Sequence, residues 1–375
     1  MVAVIFSGLV MKMLSLNDRE WGVYKAFGDD GLFNIKSTTS GVDGIRLKDG
    51  DDDTLPYVTR TDTNNGIGRF TASANEQFGI DKGGCLTIGL DTQTVFWQPS
   101  DFITGQNIHV VTADVLNENV AFFIIPILKI QLEKFNWGGN GATLGRLKRS
   151  KIILPSNQNG EPDWEFMEEF SRERKEHLVK DQIAFLEREI SRIGGGYENF
   201  YALTLDDREW NEFYLVGVFD KNQRGKRLKK ADHTEGNVPY VSSTSMNNGV
   251  DGFIEKTDSC RRFEDCISLN NSGSVGKAFY EPFEFVASDH VTHLKKDDAT
   301  EEQYLFFTAV IEMQSSNFSF NREINDERLS HMRIMLPVDA EGNPDWEFMD
   351  GYIRQHKLDL LNREIAYLKR ELKAA

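Results

Sequence analysis

The sequence predicts an α+β protein in which two similar β-rich domains are each followed by a long α-helix. The stretch LPYVTRTDTNNGIGRF, from Leu55, returns 183 residues later as VPYVSSTSMNNGVDGF, from Val238. This lag is far longer than the roughly 20–50 residues of a solenoid repeat, so it indicates a duplicated domain. A charged segment of about 30 residues with helical periodicity closes each half of the chain.

Four sequence blocks recur in the same order in the two halves. The first is Arg-Glu-Trp, at Arg19 and Arg208, and the second is the Pro-Tyr-Val…Asn-Asn-Gly block. The third is GRLKRSKIILP against ERLSHMRIMLP, and the fourth is GEPDWEFM against GNPDWEFM. The sequences between these blocks diverge strongly. The pattern indicates a shared structural frame that carries different surfaces.

The blocks also set the expected domain boundaries. LSLNDREW and LTLDDREW begin at Leu14 and Leu203, and Pro-Asp-Trp marks the start of each helix because proline and a carboxylate suit the first helical turn. We expect an N-terminal extension (1–13), a first domain (14–160), a first spacer helix (161–196), a second domain (203–342) and a second spacer helix (343–375).

The duplicated second block has two interpretations. A strand that enters a tight turn would need Asn or Gly at positive φ, and this structural interpretation is favoured. Alternatively, the asparagine side chains contact a ligand. The residues of this repeat-frame motif are Pro56, Tyr57, Asn64, Asn65 and Gly66 in the first half, and Pro239, Tyr240, Asn247, Asn248 and Gly249 in the second.

Each long helix carries a narrow apolar stripe at spacings of three and four residues on an otherwise charged surface, which is typical of a coiled-coil seam. The predicted seam residues are Phe185, Leu186, Ile190 and Ile193 on the first helix, and Leu361, Ile365, Leu368 and Leu372 on the second. We expect an antiparallel coiled coil with pseudo-twofold symmetry. The alternative is that each helix packs on its own domain.

Composition excludes several classes of protein. The formal net charge of −16 argues against a chain that grips nucleic acid unaided. No stretch reaches the roughly 20 apolar residues of a membrane span, and VAFFIIPILKI, from Val120, is expected to be buried core. Cys85, Cys260 and Cys266 form no CxxC pair, which fits a reducing cytoplasm; Cys85 and Cys266 are expected in the core.

Motifs for catalysis are weak. Asn237–Tyr240 (NVPY) resembles the Asn-Pro-Pro-Tyr motif of DNA adenine methyltransferases, but it lacks the first proline and no glycine-rich cofactor loop precedes it. The acidic run Asp49–Asp53 suits a solvated loop better than a Mg²⁺ site. His290 and His293 form an HxxH pair without a third ligand. We expect no catalytic residue, metal or cofactor in this chain; a methyltransferase or nuclease in its own right is the rival hypothesis.

The ordered blocks resemble the DNA-specificity subunits of restriction–modification systems, both type I and the bifunctional type IIB (BcgI-like) systems. The resemblance rests on REW, PYVTRTDTNNG, FNWGGNGATLGRLKRSKIILP and GEPDWEFM followed by a long helix, all in order and then repeated. It implies two target-recognition domains, each reading one half of a split, asymmetric site in double-stranded DNA. Helices of about 45 Å would suit half-sites roughly 34 Å apart.

The resemblance also implies partners. DNA adenine methyltransferase and restriction subunits would dock on the helices and would hold the S-adenosylmethionine and Mg²⁺ that this chain lacks. The alternative is a scaffold or decoy of the same fold that joins protein partners without specific DNA binding.

Basic residues near the repeated blocks are the candidate DNA contacts. They are Arg60, Arg146, Lys148, Arg149 and Lys151 in the first half, and Arg224, Lys226, Arg227, Lys229, Lys230 and Arg328 in the second. Arg146 and Arg328 match across the repeat, which favours a frame or phosphate contact. Base-reading residues are expected in divergent segments, and the candidates are Thr38, Ser40, Arg60, Asn222 and Gln223.

Overall fold

A computed structural model of the chain describes residues 13–135, 141–194, 203–255, 260–319 and 321–374. It divides into two compact units, residues 1–182 with 372–375, and residues 183–371. Most of the predicted N-terminal extension, the segment 136–140 that precedes the third block and the glycines after the first helix lie outside the described residues.

The first half folds into three sheets with helices packed on them. Its strands are β1 (Glu20–Lys25), β2 (Asn34–Ser37), β3 (Asp53–Val58), β4 (Ile67–Ala72), β5 (Cys85–Gly89), β6 (Val95–Gln98), β7 (Ile103–Thr104), β8 (Ile108–Thr112) and β9 (Lys151–Ser156). Its helices are α1 (Glu118–Leu132), α2 (Leu144–Leu147) and α3 (Trp164–Gly194). The sheet orders are β2-β8-β5-β6, β4-β3-β7 and β1-β9.

The second half repeats this plan with small additions. Its elements are β10 (Trp210–Tyr214), α4 (Leu215–Val218), β11 (Lys221–Arg224), β12 (Glu235–Val241), β13 (Val250–Ile254), β14 (Arg262–Phe263), β15 (Cys266–Asn270), β16 (Ala278–Glu281), β17 (Phe285–Ala287), β18 (Val291–Lys295), α5 (Glu301–Glu312), α6 (Asp326–His331), β19 (Arg333–Pro337) and α7 (Trp346–Ala374). The sheet orders β11-β18-β15-β16, β13-β12-β17-β14 and β10-β19 match the first half, with β14 as an added edge strand. The α+β fold of two similar domains is therefore confirmed.

The repeated blocks meet at the start of each long helix. In the first half, Arg19 Nε donates to Asp163 Oδ2 at 2.7 Å, and the guanidinium lies 4.7 Å from the centre of the Phe166 ring. In the second half, Arg208 Nε donates to Asp345 Oδ2 at the same distance. Each aspartate also accepts a hydrogen bond from a backbone N–H of the first helical turn. The same carboxylate therefore caps the helix and binds the arginine of another repeated block.

The tryptophan that follows each aspartate fixes the helix to its own domain. Trp164 contacts Phe33 edge-on, with ring centres 6.0 Å apart, and Trp346 packs on Phe307 at 5.4 Å. Phe33 and Phe307 are fully buried. The direction in which each long helix leaves its domain is therefore determined by core packing.

The Asn-Asn-Gly motif forms a left-handed turn in both halves. The φ angles of Asn64, Asn65 and Gly66 are 48°, 55° and 77°. The three equivalent residues of the second half have φ angles of 50°, 51° and 77°. Asparagine and glycine tolerate this region better than other residues, which agrees with the structural interpretation of the motif.

VAFFIIPILKI forms part of α1, and it is buried on one face only. Phe123, Ile124 and Leu128 lie in the core, whereas Phe122 and Ile130 are 44% and 62% exposed. The expectation that this segment belongs to the core is confirmed for its inward face, since an amphipathic helix covers the sheet with one stripe. Among the described residues, no helix combines the length and the apolar character that crossing a bilayer requires.

The end of α3 and the neighbouring helix α7 run in opposite directions within the second unit. Lys369 Nζ lies 2.9 Å from Glu187 Oε1, and Arg354 Nη1 donates to Ile193 O at 3.5 Å. Among the predicted seam residues, Leu186, Ile193 and Ile365 are buried, and Ile190, Leu361, Leu368 and Leu372 are half-buried.

The prediction for Phe185 is wrong. Its side chain is 48% exposed, whereas Ile183 is 8% exposed. The buried stripe therefore runs through residues 183, 186, 190 and 193, at spacings of three and four residues. At 100° per residue, Phe185 lies about 200° away from Ile183 on the helix circumference, so it faces solvent.

Candidate nucleic-acid interface

The residues considered for catalysis have structural partners. His293 Nδ1 lies 2.9 Å from Gln223 O, and its ring stacks on Phe263 at 4.0 Å. His290 Nδ1 lies 2.6 Å from Ser272 Oγ. Within the described part of the chain, no group of three or more His, Cys, Asp or Glu side chains is placed to hold a metal ion.

The two equivalent cysteines are core residues, as expected. Cys85 begins β5 and Cys266 begins β15, and both are fully buried. Burial raises the pKa of each thiol to about 12, because desolvation disfavours the thiolate. Neither thiol is therefore an activated nucleophile.

The NVPY motif is part of a strand. Asn237–Tyr240 lies within β12, where Pro239 pairs with Phe253 and Tyr240 pairs with Gly252 of β13. Three of its four residues, Val238 to Tyr240, are therefore paired in the sheet, which fits a structural role.

Four of the predicted DNA-contact arginines hold their own domain together. Arg60 forms an ion pair with Asp91, and Arg224 Nε donates to Asp326 Oδ1 at 2.8 Å. The matched pair behaves alike: Arg146 Nη1 donates to Gly141 O at 2.9 Å, and Arg328 Nη1 donates to Glu323 O at 2.6 Å. In both cases the acceptor lies five residues earlier in the chain, which supports the frame interpretation for Arg146 and Arg328.

The remaining basic candidates are exposed. They are Lys148, Arg149 and Lys151 around the start of β9, and Lys226, Arg227, Lys229 and Lys230 in the loop between β11 and β12. Side chains of this kind can contact phosphates without losing a partner in their own domain.

Two predicted base-reading residues are engaged within the first domain. Thr38 Oγ1 donates to Asp81 Oδ2 at 2.5 Å, and Thr104 N donates to Ser40 Oγ at 2.8 Å. Asp81 is 1% exposed and also accepts from Thr39 N at 2.9 Å. These hydroxyls therefore shape the loop after β2. Asn222 and Gln223, by contrast, are exposed on the edge strand β11.

The second domain carries an open cleft of about 620 Å³ beside its basic loop. Its lining combines basic side chains with hydroxyl, carboxylate and imidazole groups. The lining includes Arg227, Lys229, Lys230, His233, Tyr240, Ser242, Ser243, Asp251, Gly252, Asp289 and His290. We call it the β12–β13 cleft.

The equivalent place in the first domain is occupied by a side chain. Tyr57 pairs with Arg69 in β4, just as Tyr240 pairs with Gly252 in β13. Arg69 Nη2 donates to Gly44 O at 2.8 Å, and its Nη1 lies 3.1 Å from Asp49 Oδ1. These contacts hold the loop that precedes β3 against Arg69. A Cβ added to Gly252 would meet no atom within 4 Å.

Comparison with known proteins explains why the halves match. The family model of the type I restriction modification DNA specificity domain matches residues 24–186 and again residues 207–370. The chain belongs to this family. It is a restriction–modification specificity subunit with two target-recognition domains, one for each match.

Two relatives extend the comparison. The chain is 28% identical over 344 residues to the specificity subunit of the type II restriction enzyme BcgI from Heyndrickxia coagulans, which covers 91% of this chain and 96% of the relative. The fold is similar to the crystal structure of the type I restriction–modification S subunit from M. genitalium. That likeness has a TM-score of 0.53 at 15% identity and covers 96% of this chain and 94% of the other.

Sequence reasoning missed an exposed aromatic residue in each target-recognition domain. Phe70 is 50% exposed and Phe253 is 58% exposed. Each lies opposite the proline of the Pro-Tyr-Val strand. The signal was present, because a phenylalanine follows the glycine of each Asn-Asn-Gly turn by four residues. Exposed rings of this kind can pack on a sugar or a base.

Proposed function

We propose that this specificity subunit reads a bipartite, asymmetric DNA site, one half-site per target-recognition domain, while methyltransferase and nuclease subunits perform the chemistry. In this assignment the partners hold S-adenosylmethionine and Mg²⁺. The helices α3 and α7, of 31 and 29 residues, act as the spacer elements, each about 45 Å long.

The observation that carries the proposal is a common frame with two different surfaces. The contacts between repeated blocks are the same in both domains, whereas the loop and strand around Tyr57 and Tyr240 differ in charge and shape. Two surfaces of different chemistry on one frame suit two different half-sites, because base pairs are distinguished by their donor and acceptor patterns.

The distribution of charge is compatible with DNA binding in an assembly. The chain is strongly acidic, yet exposed basic side chains concentrate between Lys226 and Lys230. Local patches of this kind contact phosphates, and partner subunits supply the rest of the positive field.

Exposed apolar residues near the N-terminal halves of α3 and α7 support partner docking. In the first domain Leu16, Trp21, Phe122 and Leu178 line a groove of about 580 Å³ between α1 and α3. All four are at least 40% exposed. In the second domain the equivalent Leu205 and Leu360 are 43% and 63% exposed. Apolar side chains exposed on both domains in this way mark surfaces that other protein chains cover.

The test is selective binding by the assembly. The chain, purified with its methyltransferase subunit, is presented with a duplex library and the bound sequences are counted. We expect enrichment of two different half-sites separated by unread base pairs, with an affinity that falls steeply as salt rises. If partner binding is intact but every duplex binds equally, the scaffold or decoy alternative replaces the proposal.

A further inference from the structure

We propose that the β12–β13 cleft is the specificity-determining site of the second domain. Asp251 and Asp289 accept hydrogen bonds from exocyclic amino groups of adenine or cytosine, and the basic residues of the lining hold the adjoining phosphates. The inference rests on the proposed function and deepens it, because it assigns one domain's recognition to a defined site.

The lining of the cleft combines two kinds of charged side chain. Arg227, Lys229 and Lys230 are basic, and all three are exposed. Such side chains bind phosphates in any sequence and set position rather than specificity. A cleft lined only by these residues would bind every duplex equally.

The carboxylates supply the discrimination. Asp251 and Asp289 line the same cleft together with Ser242 and Ser243. A carboxylate that faces DNA is repelled by the phosphates unless it accepts from an amino group, and N4 of cytosine and N6 of adenine are the amino donors of the major groove. The carboxylates thus penalise duplexes that place an acceptor there, which is how repulsion produces specificity.

One strand position in the lining differs between the two domains in the size of its side chain. Gly252 stands where the first domain has Arg69, and a side chain at Gly252 would project into open space. Its φ lies outside the positive region, so larger residues fit its backbone. Gly252→Arg is therefore a variant that fills the cleft without straining the fold.

The experiment uses the full chain assembled with its methyltransferase subunit and measures the base preference at every position of the bound site. Asp251→Asn and Asp289→Asn are expected to reduce discrimination at one base pair of one half-site by about tenfold or more. They should also strengthen non-specific binding, because a repulsive charge is lost. Gly252→Arg should erase the preference of that half-site and leave the other half-site unchanged.

Two controls separate this site from general effects. Lys229→Ala should weaken all sequences alike and lower the slope of log affinity against log salt by about one unit, as a phosphate contact does. Asp49→Asn, which changes a carboxylate of the first domain, should leave the second half-site unaltered. Thermal unfolding checks that each variant remains folded.

The outcomes distinguish the inference from the function on which it rests. A wild-type assembly without sequence selectivity overturns the proposed function and this inference with it. A selective wild type whose base preferences are unchanged in Gly252→Arg and in both aspartate variants overturns the inference alone.

Discussion

The two target-recognition domains make the same contacts where their long helices begin, and they differ around the Pro-Tyr-Val strand. Both arginine–aspartate anchors measure 2.7 Å. The indole N–H groups of Trp21 and Trp210 both donate to the carbonyl five residues earlier, at 3.0 and 2.9 Å. By contrast, the loop GIRLKDG of the first domain has the counterpart GKRLKKA, in which a lysine replaces an aspartate.

The difference follows from how many partners each residue has within the chain. A residue of the frame contacts another repeated block, so a change on one side alone leaves a charge or a buried group without its partner. The exposed residues of the cleft, such as Lys229 and Lys230, differ in this respect, because changing them leaves no buried group behind. The frame is therefore where stability resides, and the divergent surface is free to differ between the two domains.

One pair of equivalent buried positions outside the repeated blocks differs between the domains and yields the largest predicted effect. Gln98 Nε2 donates to Asn65 O at 3.1 Å, whereas the equivalent Glu281 accepts from Ser268 Oγ at 2.9 Å and is fully buried. Burial raises the pKa of Glu281 from its ordinary value of 4.5 to about 7. In the unfolded chain this carboxyl ionises above about pH 4.5, while in the folded chain it keeps its proton until about pH 7.

Stability from this position is therefore lost as pH rises from about 4.5 to 7, by up to about 3 kcal/mol. Glu281→Gln should stabilise the second domain by up to that amount at about pH 8 and by little at about pH 4. Thermal unfolding of the full chain at the two pH values measures the effect. The converse change, Gln98→Glu, should destabilise the first domain at about pH 8. A gain from Glu281→Gln that is equal at both pH values would contradict the assignment.

The arginine anchors give the next largest effect and test the equality of the two frames. Arg19→Ala and Arg208→Ala should each destabilise their own domain by about 2 kcal/mol, because a half-buried aspartate loses a charged donor and a phenylalanine loses a cation over its ring. Arg172→Ala, which removes an exposed ion pair on α3, is the control and should cost under about 0.5 kcal/mol. Chemical denaturation of each variant measures these values. A clear difference between the free-energy losses of Arg19→Ala and Arg208→Ala would show that the two helix starts are not equivalent.

The fold could be predicted because its signals repeat. The same blocks occur twice in order, so each strand, turn and helix start was supported by two sequences. The error at Phe185 could have been avoided from the sequence, because only Ile183 continues the spacing of three and four residues through Leu186, Ile190 and Ile193. Which neighbour covers this stripe depends on tertiary packing, and a single helix sequence does not contain that information.

The candidate site was harder to predict because the partners of its polar residues are remote in sequence. Arg60 pairs with Asp91, 31 residues away, and Arg224 pairs with Asp326, 102 residues away. From the sequence alone, both arginines were therefore predicted to contact DNA. The contrast between Arg69 and Gly252 is visible in the aligned repeat, but only the strand register places each residue opposite its tyrosine.

The smallest effect on stability is expected where the two domains differ most in charge. Asp49→Lys gives the first domain the residue that the second has at Lys230. Because the ion pair of Asp49 with Arg69 is largely exposed, its loss should cost under about 0.5 kcal/mol in the free chain. The added cation should steepen the dependence of DNA affinity on salt by about one unit of slope, since one more phosphate is neutralised. Asp114→Lys, the same charge change between β8 and α1, is the matched control, and an equal response to the two substitutions would show that net charge, and not the position of this loop, governs the binding.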